Sequence, residues 1–440
     1  MEDKRMKKYL LYAAAIIVFA GCSVEPMEKC LTSNSDEHIV TVKATIEGFE
    51  NDTKTSYTLD TENSKALVSW SAGDAISVLY SNGSGGSYTQ EPFTTAEGDG
   101  IFSGGASTTE GGKYAKFAIY PYNICNSIWP DNTNLREQFQ VTLPDHINGS
   151  GADAIPMVAH TLTASWDETY HFKHLSSVIR FSFTNIPSNA RQLVISHASA
   201  ELAGLFYIAF DEGVPYLNEG ASEDGYQRSM TYDFTPDAGA FTFYLPYRVG
   251  VTPSGNFTFT FKNVAGEVIC ARTTTLGTLA STTLARNTMY RVNIDALTFD
   301  GHPDVKSLVI TPSVVPATKN NTFTIDGKEL YAYEVFKENA TNIKFNGTED
   351  SKIYNNTSLG RIIKVVVEKD SCTEGYDGTY YTLYAGTTSN PSSEISRSEY
   401  VYNNFAVYSL MGGNYSYFSF MNNKAWGNRV GKITVYYKPS

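Results

Sequence analysis

The chain is short of the residues that build most recognisable sites. Charged residues make up only 18% of its 440 positions, against about a quarter in ordinary soluble proteins. Acidic residues outnumber basic ones and the formal net charge is -12, which excludes the basic stripe that a nucleic-acid partner requires. The 5 cysteines are scattered and none is in CxxC spacing, so a dense disulfide framework or a zinc knuckle is excluded. Cys125, Cys270 and Cys372 read as small buried apolar residues and Cys30 falls in a linker; the spacing selects no bridge among them. The 7 histidines include no HExxH, and His171 and His174, three apart, would face opposite sides of a strand. GxSxG, P-loop and dinucleotide fingerprints are missing. The acidic pairs Glu223-Asp224 and Glu349-Asp350 lie in polar loop sequence, and nothing sets two carboxylates at glycosidase spacing. The expectation is a protein that is not an enzyme and holds no metal or cofactor. No amphipathic helix exceeds two or three turns, and beyond the N-terminus no apolar run reaches spanning length.

What is present begins at the N-terminus. Lys4, Arg5, Lys7 and Lys8 precede an apolar stretch from Tyr9 to Phe19, too short to span a bilayer but suited to the h-region of a signal peptide. It ends in Phe19-Ala20-Gly21-Cys22. That order resembles a bacterial lipobox, which implies a signal peptide over residues 1–21 and a diacylglycerol on the thiol of Cys22. Two or three acyl chains anchor durably where one does not. The expected location is the outer membrane, lipid-anchored and exposed at the cell surface, with residues 22–37 as a flexible tether.

Beyond the tether the pattern is that of strands. Val40, Val42, Ala44 and Ile46 alternate with Thr41, Lys43, Thr45 and Glu47, a period-2 pattern with one face buried. Similar runs recur after turn-rich gaps: Ile76, Val78 and Tyr80; Tyr114 to Tyr122; Phe172 to Phe183; Phe241, Phe243 and Leu245; Phe257, Phe259 and Phe261; Tyr290, Val292 and Ile294. A linker-like Asp300-Gly301-His302-Pro303-Asp304 precedes a tyrosine-rich last third. Strands at short, turn-punctuated intervals predict an all-β chain of sandwiches. The expected units are 38–165, 166–299 and 304–440, the last of jelly-roll type.

Several of these segments resemble the Bacteroidales-type fimbrillin family. They are Lys54-Thr55-Ser56, Trp70-Ser71-Ala72-Gly73-Asp74-Ala75-Ile76, Phe117-Ala118-Ile119-Tyr120-Pro121-Tyr122, the run Phe172-Lys173-His174-Leu175-Ser176-Ser177-Val178-Ile179-Arg180-Phe181, and Phe243-Tyr244-Leu245-Pro246. The resemblance implies tandem transthyretin-like β-sandwiches and a place in surface fimbriae. It also implies that proteolysis removes the first strand and that a neighbouring fimbrial subunit fills the groove by strand addition. Here the removable strand would be Val40 to Ile46, with Lys54 as the candidate cleavage site. Residues after about 304 exceed the two-sandwich plan, which favours a tip or accessory subunit over a stalk subunit. The last unit more loosely resembles galactose-binding-like sandwiches, through Tyr354 to Ile362, Leu383 to Thr387 and Arg429 to Val435.

Binding candidates lie in that last unit. Tyr415 and Tyr417 follow Met411-Gly412-Gly413-Asn414, and Trp426 precedes Gly427-Asn428. Flat rings beside amides suit a glycan or a host surface ligand. The expectation is an adhesin-like fimbrial component acting through strand complementation and this binding unit. The alternative is a solitary surface lipoprotein that captures polysaccharide.

Overall fold

The computed structural model describes residues 37–47, 58–59, 66–67, 69–81, 88–107, 114–122, 124–131, 136–160, 169–211, 213–219, 226–347, 350–368, 381–396, 399–401, 405–410, 413–422 and 428–440. Among them the chain is all-β, its only helical segments being short 3-10 turns such as Gly277–Ser281.

The first core is enclosed by a closed barrel. Its strands run in the order Glu37–Ile46, Thr169–His174, Met157–His160, Tyr114–Tyr120, Ala75–Ser81, Tyr88–Thr94 and Ile101–Ser107. Alternation explains the closure. Ile76, Val78, Ala118, Tyr120, Met157 and Ala159 point into the barrel with Phe93, Phe102, Tyr170 and Phe172. Their neighbours Leu79, Phe117, Ile119 and Val158 point the other way, into a second core with Phe139, Val141, Phe206, Ile208 and Leu217. Those partners come from an outer sheet of Val214–Glu219, Ala203–Asp211, Arg136–Leu143 and Cys125–Asp131. Strands buried on both faces read as continuous apolar runs, which is why Phe117-Ala118-Ile119-Tyr120 shows no polar alternation.

A third core lies between a five-stranded sheet (His146–Asn148, Ser229–Asp233, Gln192–His197, Phe257–Lys262, Val268–Thr274) and a three-stranded one (Phe241–Tyr247, Ser177–Thr184, Met289–Asp295). It is filled by phenylalanine. Phe183 alone meets Phe243, Phe259 and Phe261 edge-on at 5.7, 5.6 and 5.4 Å, an arrangement favoured by ring quadrupoles. Strand pairing crosses the expected junction at 165/166 in both directions. Thr169–His174 joins the barrel, Ala203–Asp211 pairs with Arg136–Leu143, and His146–Asn148 pairs with Ser229–Asp233. Periodicity shows which face of a strand is buried, not which strand lies beside it. Cys125 and Cys270 are buried and neither forms a disulfide; Cys30 and Cys372 lie outside the described residues.

The C-terminal part builds its sheets from its own strands among the described residues. A five-stranded sheet (Lys306–Ile310, Lys432–Lys438, Arg361–Glu368, Phe405–Ser409, Glu399–Val401) packs against a six-stranded one (Asn321–Ile325, Lys328–Tyr333, Lys352–Asn355, Tyr417–Asn422, Tyr381–Gly386, Ser393–Ile395). Leu308, Ile433, Val435, Val365, Leu330, Ile353, Phe418 and Phe420 form its core.

Ion pairs tie these parts together. Asp295 accepts from Arg361 Nη2 at 2.7 Å and from Asn185 Nδ2 at 3.0 Å, while Lys364 reaches Asp300 at 2.8 Å. Asp304 and Lys438 meet at 3.3 Å on the rim. On the barrel side, Arg286 grips Glu47 with both guanidinium nitrogens, Nη2 donating to Oε1 at 2.7 Å. Burial works against the Glu47 carboxylate, yet Arg286 outweighs it and holds the group below its usual range. Beneath this pair His174 is 1% exposed, and neither ring nitrogen has a hydrogen-bond partner.

Two outcomes follow from these contacts. Burial first, with a smaller contribution from Arg286 and against the pull of Glu47, lowers the His174 pKa from 6.5 to about 4. The unfolded chain therefore takes up a proton that the folded chain refuses. Stability from this group is complete above about pH 6.5 and falls by roughly 3 kcal/mol as the pH drops to about 4. Amide exchange across the Thr169–His174 strand should show the decline, and His174→Phe should flatten it. At the C-terminal junction, a double-mutant cycle on Asp295→Ala and Arg361→Ala should give a coupling of about 1–3 kcal/mol by chemical denaturation. The same cycle on the exposed pair Asp304 and Lys438 should stay below about 0.5 kcal/mol.

Candidate functional site

The first strand, Glu37–Ile46, is held between two neighbours of opposite sense. It pairs antiparallel with Ile101–Ser107, from Glu37 opposite Ser107 to Lys43 opposite Ile101. It pairs parallel with Thr169–His174, from Lys43 opposite Thr169 to Ile46 opposite Phe172. Backbone bonds continue past the ladders: Ala44 N donates to Gly100 O at 2.8 Å and Glu47 N to Phe172 O at 2.7 Å.

The alternation read in the sequence decides which side chains enter. Val42, Ala44 and Ile46 are buried and Val40 is half-buried, whereas Thr41, Lys43 and Thr45 face out. The outward side is laced by hydroxyls: Thr41 Oγ1 lies 3.2 Å from Ser103 Oγ, and Thr45 Oγ1 lies 2.7 Å from His171 Nδ1. His171 is thus exposed while His174 is buried, on opposite faces of one strand.

Trp70 closes the inner side. Its indole N–H donates to Ala44 O at 3.2 Å, and its ring meets Phe102, Tyr120 and Phe172 edge-on at 4.9, 5.4 and 5.2 Å. Gly100, at φ +79°, lies where a Cβ would come within 2.6 Å of Ala44 O, so the chain needs glycine to pass this close to the strand. The Ile101–Ser107 strand is paired to its other neighbour, Tyr88–Thr94, at a single position, Thr94 opposite Ser103. The first strand is therefore the main partner of Ile101–Ser107 in the barrel. Taken away, it would leave an apolar slot between two strands with unpaired backbone groups, the geometry on which strand addition depends.

Cys22, Lys54 and Trp426 lie outside the described residues. Tyr415 is half-buried against the C-terminal core, its carbonyl accepts from Ile362 N at 2.7 Å, and its ring lies so close to Gly413 that a Cβ there would sit 2.1 Å away. Tyr417 opens the strand Tyr417–Asn422, opposite Gly386, and is half-buried on the outward face of its sheet. That face holds tyrosines on neighbouring strands that were not singled out as binding candidates in the sequence: Tyr331 opposite Tyr354, Tyr354 opposite Ser419, and Ser419 opposite Tyr384. The signal was the alternation of Tyr331 with Leu330 and Ala332, which places tyrosine on the side away from the core.

Among the described residues no group of three or more His, Cys, Asp and Glu side chains is gathered as for a metal ion. Among the described residues, open clefts are lined by both polar and apolar groups. One of about 770 Å³ lies between Arg191, Asp233, Phe241 and Val264, and one of about 480 Å³ lies between Asn185, Ile269, Pro303 and Lys438.

No known family profile matches the chain, and no curated relative matches it. Similar solved structures come from Bacteroides species. A Bacteroides ovatus protein provisionally described as a cell adhesion protein is 14% identical over 59% of this chain and 92% of its own, with a TM-score of 0.33. A Bacteroides uniformis protein described in the same way is 16% identical over 58% and 93%, with a TM-score of 0.32. A fimbrial protein of Bacteroides ovatus is 12% identical over 74% and 66%, with a TM-score of 0.27.

Proposed function

We propose that the chain is a lipid-anchored protein of the outer-membrane surface that works in adhesion, as a tip or accessory subunit of a fimbria. Cys22 would carry the lipid, and cleavage after Lys54 would release the first strand. A partner's strand would then enter the slot beside Trp70 and reform the ladders to Ile101–Ser107 and Thr169–His174. The observation that carries this reading is the position of the first strand, which lies at the N-terminal end of the barrel, is paired on both sides, and is the main partner of Ile101–Ser107, whose other ladder is the single pair of Thr94 and Ser103. A strand so placed can be exchanged without unthreading any other. Its inward residues Val42, Ala44 and Ile46 ask of a replacement only small or branched apolar side chains at alternate positions.

Glu47 and Arg286 set the condition for exchange. Their bond fastens the end of the strand to the phenylalanine core, so release requires both the cut and the breaking of this pair.

A second reading has its own support. The outward tyrosines Tyr331, Tyr354 and Tyr384 suit a solitary surface lipoprotein that gathers polysaccharide, and it would need no polymer.

Envelope extract left unboiled and probed for residues 304 to 440 separates the two. Incorporation into a fimbria should give a ladder that collapses on boiling, with mature N-termini beginning after Lys54, because strand-complemented contacts dissociate slowly. Phe102→Glu should abolish the ladder by placing a charge in the slot that remains after the cut. A single band with every N-terminus at Cys22 would overturn the fimbrial reading. Cys22→Ala should move the uncut chain, which still carries residue 22, out of the membrane fraction.

A further inference from the structure

The six-stranded sheet of the C-terminal part has two faces with different chemistry. The inner face is filled by Leu330, Ile353, Leu383, Phe418 and Phe420, all fully buried. The outer face owes nothing to that packing, and it gathers tyrosine. Pairing across four adjacent strands sets one row in register: Tyr331, Tyr354, Ser419, Tyr384. The rings of Tyr331 and Tyr354 are 5.5 Å apart and inclined at 47°. Tyr384 lies two strands beyond Tyr354, about 10 Å by strand spacing. Between them Ser419 is only 1% exposed, a small residue covered by the side chains around it, so the rings make up the surface. Tyr417, two residues along the same strand, extends that aromatic surface.

We propose that this outer face is a binding platform for an uncharged polysaccharide chain, seated on Tyr331, Tyr354, Tyr384 and Tyr417. The proposal deepens the adhesive reading by giving its C-terminal part a site and a ligand class.

The occupant follows from charge and from shape. Among the described residues the one cation on the face is engaged, Lys352 sitting 5.9 Å above the Tyr354 ring, while Glu329 accepts from Asn356 Nδ2 at 3.0 Å and the exposed Glu394, opposite Tyr384, adds negative charge at the edge. What remains for a ligand is ring surface and hydroxyl or amide groups, matched to a ligand that is itself uncharged and rich in hydroxyls. An acidic glycan or a phosphate polymer would need free cations here and would approach a chain of net charge -12. A peptide added as a strand would bind a sheet edge rather than a face. A protein partner would want a deep central anchor pocket, and on this face the serine between the tyrosines is covered. Rings spread over several strands suit a polymer with repeating apolar C–H faces more than a single sugar, which needs an enclosing cavity. Tyr354 remains a protonated donor at neutral pH, since burial and the adjoining Tyr331 both push its phenol upward.

Affinity electrophoresis of the detergent-solubilised full chain tests this, with galactomannan, hydroxyethyl cellulose, xyloglucan and amylopectin as uncharged probes and polygalacturonate and chondroitin sulfate as acidic ones. At least one uncharged polymer should retard the chain. Tyr354→Ala and Tyr384→Ala should each weaken that retardation by about tenfold, the size of one lost aromatic contact. Tyr354→Phe, which keeps the ring, should retain most of it and guards against a folding defect. Retardation by none of the uncharged probes, or by the acidic ones alone, would overturn the proposal. So would loss with Trp426→Ala while Tyr354→Ala behaves as wild type, which would move the site to the loops. A dimer in sedimentation that Tyr354→Ala dissociates would assign the face to a second copy of the chain and overturn it as well. The boiling-sensitive ladder is a separate readout: retardation without a ladder retires the fimbria alone, and a ladder without retardation retires the platform alone.

Discussion

Burial of three barrel strands on both faces is the constraint on which the N-terminal half depends. Ala75–Ser81, Tyr114–Tyr120 and Met157–His160 send alternate side chains into two different cores, Val78 and Ala118 to one side and Leu79 and Ile119 to the other. A strand in that position cannot move without disturbing both. It fixes the barrel against the outer sheet, and because that sheet includes Ala203–Asp211 it also fixes the segment that leads into the phenylalanine core. Interiors packed at this density transmit displacement instead of absorbing it. The rigid frame is therefore these three strands, and whatever can be exchanged must lie elsewhere on the barrel.

The first strand lies elsewhere. Only its inner face is buried, and its outer face carries Thr41, Lys43 and Thr45, with Ile39 84% exposed. Val42 and Ile46 contribute roughly 1.5–3 kcal/mol each by burial, and the ladder to Thr169–His174 is parallel, the slightly weaker pairing. These are contributions that a strand of similar pattern from another molecule could replace in kind. The pair of Glu47 and Arg286 is different, since it links this strand to a core on the far side of Leu175 and depends on one carboxylate at one position. General features hold the strand along its length and a specific one holds its end.

The alternation of Val40 to Ile46 stated in advance which residues would enter the barrel, and the opposed faces of His171 and His174 followed from the same period. The apolar strings around Phe117 and Phe181 marked buried strands, and the break near Asp300 marked where the C-terminal sheets begin. Partnership was not legible. Nothing in the spacing of Thr169 to His174 says that it lies between Glu37–Ile46 and Met157–His160, because a period of two is blind to the neighbour. For the same reason a boundary drawn at residue 165 is crossed by strands from either side. The closing of the first sheet on itself depends on registers set over more than a hundred residues, and no local pattern carries that information.

The tyrosines show the same limit applied to function. Loop position made Tyr415 and Tyr417 look equivalent in the sequence, since both follow a glycine pair and an asparagine. In the fold Tyr415 turns onto Gly413 and the core, while Tyr417 starts a strand and faces outward. Tyr331, Tyr354 and Tyr384 are separated by 23 and 30 residues in sequence, yet consecutive strand pairings bring them to one row. A tyrosine in a strand reads as core or cross-strand packing when met alone. What distinguishes these is that Leu330, Ile353 and Leu383, each one residue away, already fill the interior. Once the apolar members of the alternation are assigned to the core, the remaining rings have no packing role there, and their clustering around a nearly covered serine calls for a reason on the solvent side.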